Sequence, residues 1–155
     1  MIKSISLFFT AAVLALAQPG QAAEPVVAGD AGATPFVDNA MFKAFHSQAG
    51  VDRVVETFVD RNVADPRIAD IFAGQDLDNL RARLKEHFCY LLGGGCIYTG
   101  KDMKTAHKDM GVQIANFNAV VENLQFAMEK EGVAFRDQNR FLAKLAPMKR
   151  VVVTR

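Results

Sequence analysis

Apolar positions along this chain recur at intervals of three and four residues. From Phe42 onward, Val51, Val54, Val55 and Phe58 form one stripe, while Asp52, Arg53, Glu56 and Asp60 fall on other faces, as in an amphipathic helix. Asp65-Pro66 closes this first long helix. It also starts a short segment running to Phe72 and Gly74, with aspartate as cap and proline in the first turn. A second long helix starts near Asp76 and repeats Leu77, Leu80, Leu84, Phe88 and Leu91 until Gly93-Gly94-Gly95 stops it. Thr99-x-x-Asp102 has the form of a capping box with aspartate in place of glutamate. It opens a short helix with Met103, Ala106, His107 and Met110 on one face, ending at Gly111. Ile114, Phe117, Val120, Val121, Leu124 and Met128 mark a further helix up to Gly132. Phe135, Phe141, Leu142, Leu145 and Met148 mark the last, with residues 151–153 as a frayed end. No window alternates with turn signals at hairpin spacing, and nothing repeats. The expected fold class is all-α.

The first residues follow a different pattern. Lys3, the apolar run Leu7 to Leu16 and the small residues ending at Gly20-Gln21-Ala22 read as a secretory signal peptide over residues 1–22, cleaved near Ala22 or Ala23. A membrane helix needs about 20 apolar residues, and this run stops at Gln18-Pro19, so no stable membrane span is expected after cleavage. Residues 23–40 are rich in Ala, Gly and Pro and read as a flexible linker; residues 41–155 form the single domain. The protein is expected in the periplasm or secreted, as a monomer.

Composition narrows the chemistry. The formal charge is +1, and losing Lys3 with the leader brings the basic count level with the 17 acids. A neutral domain without a basic cluster lacks the electrostatics that nucleic acid requires. With 50% apolar residues the chain supplies its own core. Cys89 and Cys96 are too few for a disulfide scaffold. One bridge between them is conceivable in an oxidising compartment, but the intervening glycines leave its geometry open. No Cys-x-x-Cys-His occurs, so no thioether-linked cofactor is implied.

Three histidines occur: His46, His87 and His107. His107 lies mid-face on its apolar helix, with Met103 and Met110 a turn away on either side. One reading is a core histidine with a hydrogen-bonded ring. The other is a single imidazole on the wall of an apolar slot faced by Leu80, Leu84 and Phe88, which suits a flat macrocycle with a metal at its centre.

Longer stretches bear on that choice. VVETFVDRNVADPRIADIF, ending at Phe72, resembles the first long helix and corner of truncated haemoglobins of group I, where a pattern close to VVxxFYxRVLADxRLxxFF recurs. LRARLKEHFCYLLGGG, residues 80–95, is similar to the family's distal helix with its closing glycines. YTGKDMKTAHKDMGV, residues 98–112, is similar to its proximal segment. The resemblance spans roughly residues 42–148. It implies a two-over-two helical sandwich around non-covalent haem b. His107 is then the proximal iron ligand, and Phe72 packs against the haem face. Phe58, Phe88, Met103 and Tyr98 are further haem contacts, and Arg83 near the haem edge is either a propionate partner or an ordinary solvated arginine. Leu80, Leu84 and Val59 are expected in the distal ligand pocket.

The chain departs from the family on that distal side. Val59 stands where the family has a tyrosine that donates to bound oxygen, and leucines stand where glutamine is frequent. A donor here favours dioxygen by about 1.5–3 kcal/mol, roughly ten- to a hundredfold, and favours carbon monoxide or nitric oxide less. Weak, fast-releasing oxygen binding is therefore expected. His87, one turn beyond Leu84, is counted with the distal pocket as a donor or sixth ligand. Its set-back position instead favours a ring packed between helices. His46 is given no function, and the methionines need only core packing.

The resemblance thus implies a binding protein for diatomic gas: oxygen, nitric oxide or carbon monoxide. The alternative is a haem enzyme, a nitric oxide dioxygenase or peroxidase-like, served by a periplasmic electron donor. A third reading is a helical interaction module that has lost its cofactor; retention of His107 and Phe72 weighs against it.

Overall fold

The computed structural model describes residues 30–153. The expected signal peptide and the first part of the expected linker lie outside these residues. The helices are α1 (Ala40–Ala44), α2 (Ser47–Ala64), α3 (Ala69–Phe72), α4 (Leu77–Leu91), α5 (Met103–Ala106), α6 (Ile114–Lys130), α7 (Phe135–Leu145) and α8 (Lys149–Val152). A 3-10 turn, Ala146–Met148, joins α7 to α8. The fold is all-α, with no strand among the described residues. None of these helices is long and apolar enough to cross a membrane.

The valine stripe of α2 explains its central place. Val51, Val54, Val55 and Val59 are fully buried and Phe58 nearly so, each contributing roughly 1.5–3 kcal/mol on burial. α2 packs on α6 along one side and on α4 along the other, whereas α4 makes no comparable packing with either α5 or α6. Edge-on aromatic contacts extend the core. The Phe45 and Phe141 centroids lie 5.2 Å apart, and those of Phe88 and Phe141 5.0 Å apart. At the α2–α6 crossing, buried Asn123 donates to Asn62 at 2.9 Å and to Asp65 at 3.0 Å. Hydrogen bonds from Arg67 hold the Asp65 carboxyl well below the usual carboxylate range.

The structure corrects several expected boundaries. The first stripe breaks into α1 and α2 because His46 and Ser47 both have positive φ, 59° and 60°, and no glycine marks the spot. α1 then crosses close to α2, since a Cβ on Gly50 would collide with the Phe45 carbonyl. Two points of the expected linker touch the fold: Ala31 is buried, and the Phe36 N–H donates to the Leu91 carbonyl at 2.9 Å, while Val37 is exposed. The expected frayed end includes Val152, which is buried and closes α8.

Candidate functional site

His107 sits at the C-terminal end of α5, and local chemistry places it there. Asp102 caps the helix, its carboxylate accepting from the Thr105 N–H at 2.9 Å. The cap is therefore Asp102 and not Thr99, whose N–H and hydroxyl both donate to Glu86, at 3.0 and 2.8 Å. α5 ends at Ala106, sooner than the spacing of apolar residues suggested. Asp109 and Gly111 both take φ of 62° in the turn that follows, a conformation aspartate tolerates and glycine favours.

The His107 ring is half-buried, and its Nδ1 lies 2.8 Å from the Met103 carbonyl. A carbonyl only accepts, so Nδ1 carries the proton and Nε2 is left with a lone pair. That is the tautomer a metal ligand needs, held by a backbone contact.

Apolar groups that the core covers incompletely fall on α4, after α5 and on α6. Leu77, Leu80 and Leu84 of α4, Met110 after α5, and Phe117 and Val120 of α6 are partly buried and packed against the core. Phe72, at the end of α3, is likewise half-exposed. Phe58, Val59 and Phe88 are buried behind them, with the Phe58 and Phe88 centroids 6.2 Å apart. Met103 is buried at α5. Half-covered apolar walls, together with the lack of close packing between α4 and α5 or α6, suit a flat apolar ligand better than a closed core.

His87 and Tyr98 pack against each other. The buried His87 ring places Nε2 2.8 Å from the Ala31 carbonyl and packs 5.0 Å from the Tyr98 centroid. Tyr98 donates its hydroxyl to the Lys101 carbonyl at 2.6 Å, and burial raises its pKa. Burial pulls the His87 pKa below its ordinary value; nearby His107 adds to this, and the Ala31 carbonyl opposes it. His87 thus occupies the packed position its set-back location favours, with one nitrogen already committed.

Arg83 is tied to its neighbours and is not freely solvated. It pairs with Glu86 at 2.9 Å and donates to the Thr99 hydroxyl. Its Nε is nonetheless buried without a hydrogen-bond partner among the described residues. The bridge left open by the glycine turn is present: Cys89 and Cys96 form a disulfide with 5.7 Å between Cα atoms. It ties the end of α4 to the loop that leads to α5.

This geometry can be set beside known proteins. A family model described as "Bacterial-like globin" matches residues 40–154. The chain belongs to this globin family. The group 1 truncated haemoglobin of Mycolicibacterium paratuberculosis is 32% identical over 101 residues, 65% of this chain and 74% of that protein. The crystal structure of the truncated haemoglobin from Tetrahymena pyriformis, in its Fe(III) form, superposes with a TM-score of 0.71 at 25% identity, covering 74% of this chain and 98% of that one. The 2/2 haemoglobin of Synechococcus, solved in the cyanomet state with covalently attached haem, shares the fold at 24% identity, covering 74% of this globin and 98% of that chain, with a TM-score of 0.69. Membership of the family implies a haem cofactor.

Proposed function

We propose that this globin holds haem b without a covalent link, with His107 Nε2 as proximal iron ligand, and that it binds a diatomic gas reversibly on the opposite, apolar face. The observation that carries this reading is the His107 ring itself, whose Nδ1–H is given to Met103 so that Nε2 is free to donate. Among the described residues no group of three or more His, Cys, Asp or Glu side chains comes together to hold a metal ion. One imidazole alone retains a bare cation weakly, so a metal here calls for a macrocycle kept by burial. Leu80, Leu84 and Phe72 supply the apolar walls, and Arg83 Nε supplies a donor for a propionate. Both cysteines are joined to each other, which leaves no thiol for a thioether.

Haem in its ferrous state supplies one open coordination position for a gas. The distal side chains exclude water from it, and none of Val59, Leu80 and Leu84 has a donor to offer a partly negative ligand. This supports nitric oxide or carbon monoxide over oxygen, with rapid oxygen release. Nitric oxide dioxygenation or peroxidase-like chemistry ranks second, because both gain from distal polar groups. The Cys89–Cys96 bridge supports an oxidising, extracytoplasmic location, in line with the expected signal peptide.

The test is to load the protein with haem, record ferric and ferrous absorption spectra, and repeat with His107→Ala. Loss of the five-coordinate ferrous imidazole signature, restored by added imidazole, is expected. Unchanged iron ligation in the variant would overturn the assignment.

A further inference from the structure

The short helix that presents His107 has four residues, too few to hold its own shape or the angle of its side chains. Its orientation must come from its neighbours. One is α8, which packs against it. Another is the segment before α1, where no function was expected.

Gly32 has φ of 77°, and a Cβ on it would lie 2.8 Å from Met103 Cγ and 2.9 Å from Met148 Cγ. Gly32 therefore sits closer to the Met103 and Met148 side chains than any residue with a Cβ could. Met103 is the residue whose carbonyl accepts from both the backbone N–H of His107, at 3.3 Å, and its ring Nδ1–H, at 2.8 Å. The segment is fixed at three further points. The Ala31 carbonyl accepts from His87 Nε2 at 2.8 Å, the Phe36 N–H donates to Leu91, and the Phe36 ring lies 4.4 Å from Lys144 Nζ. His87, buried and without a role in ligation, thus anchors the segment from α4.

We propose that Ala31, Gly32 and His87 form a positioning clamp on α5, holding Met103 so that its carbonyl fixes the tautomer and angle of the His107 ring. The proposal rests on His107 as the iron ligand. The clamp tunes the imidazole–iron bond and touches neither haem nor gas. His87→Leu removes the anchor, Gly32→Ala removes the close approach, and His87→Gln keeps a donor for the Ala31 carbonyl.

The experiment is resonance Raman spectroscopy of the ferrous, haem-loaded protein, with the rate of haem transfer to an acceptor globin as a second measurement. The iron–histidine stretching band is expected to shift and broaden in His87→Leu and Gly32→Ala and to return to its place in His87→Gln. Haem transfer should speed up about tenfold in the first two, the equivalent of one lost hydrogen bond. A band unmoved in both folded variants overturns the clamp. Where a variant fails to fold, hydrogen exchange on the unaltered protein decides: the Phe36 and His107 amides open together if the clamp exists, and independent opening overturns it. Absence of the band in the unaltered protein would instead strike at His107 as ligand, and joint exchange of the two amides would still test the clamp alone.

Discussion

On one side of the slot, fifteen residues of α4 carry Leu80 and Leu84, and salt bridges from Arg81 to Glu56 and Asp60 brace the helix against α2 at 2.6 and 2.7 Å. On the other, four residues of α5 carry His107 and are held by a cap, a backbone carbonyl and the segment before α1. The leucines of the long wall are mute toward a ligand; the short wall is built of local polar contacts and holds His107, the proposed iron ligand. In the proposed reading, a substitution on the long wall changes what surrounds the ligand, and one on the short wall changes how the ligating group is held.

The largest departure should come from giving the mute wall a voice. Leu84→Gln is expected to slow oxygen release by roughly ten- to a hundredfold and to leave carbon monoxide release within a small factor. Stopped-flow rates for both gases check this, and equal slowing of the two would mean the leucine acts by blocking access. Next in size, replacing both cysteines by serine should cost about 2.5 kcal/mol, the loop-entropy value for a short closed ring, measured by urea unfolding. Removing the α5 cap with Asp102→Ala should cost about 1 kcal/mol with the α4 contacts intact. Ligand-free and haem-loaded unfolding curves would show whether the short wall gives first.

The smallest effect concerns acid. Burial lowers the His87 pKa in the fold, so the unfolded chain takes up the proton first as pH falls. Stability is full above the ordinary histidine value of about 6.5 and declines as pH drops below it toward the depressed folded value. His87→Phe should flatten that slope below about pH 6.5, and an unchanged slope would assign the acid sensitivity to other groups.

What could be read from the residues follows from how local each signal is. Asp76 announced α4 because its carboxylate accepts from the Asn79 N–H three residues on, at 3.0 Å. The leucine stripe of α4 and the valine stripe of α2 are likewise periodic. Three features were not legible for the opposite reason. The break at His46-Ser47 uses left-handed residues that are not glycine, and His46 is held from afar, its Nδ1 3.2 Å from Glu131. The packing of Ala31 depends on a histidine 56 positions away. Thr99 looked like a cap by its spacing to Asp102, yet Glu86 on α4 captures it. At the site, the half-buried place of His107 at the end of α5 was legible from its helix face, whereas the partners of Arg83 and His87 needed three dimensions.

The bridge between Cys89 and Cys96 also decides what a single cut in the backbone can do. It closes a ring containing the turn Gly93 to Gly95, whose Gly95 is exposed. A protease that cuts inside this ring severs the backbone without releasing a fragment, because the two pieces stay linked through sulfur. The helix bearing the leucines and the turn bearing the histidine would remain neighbours after such a nick, and separate only when a reductant arrives.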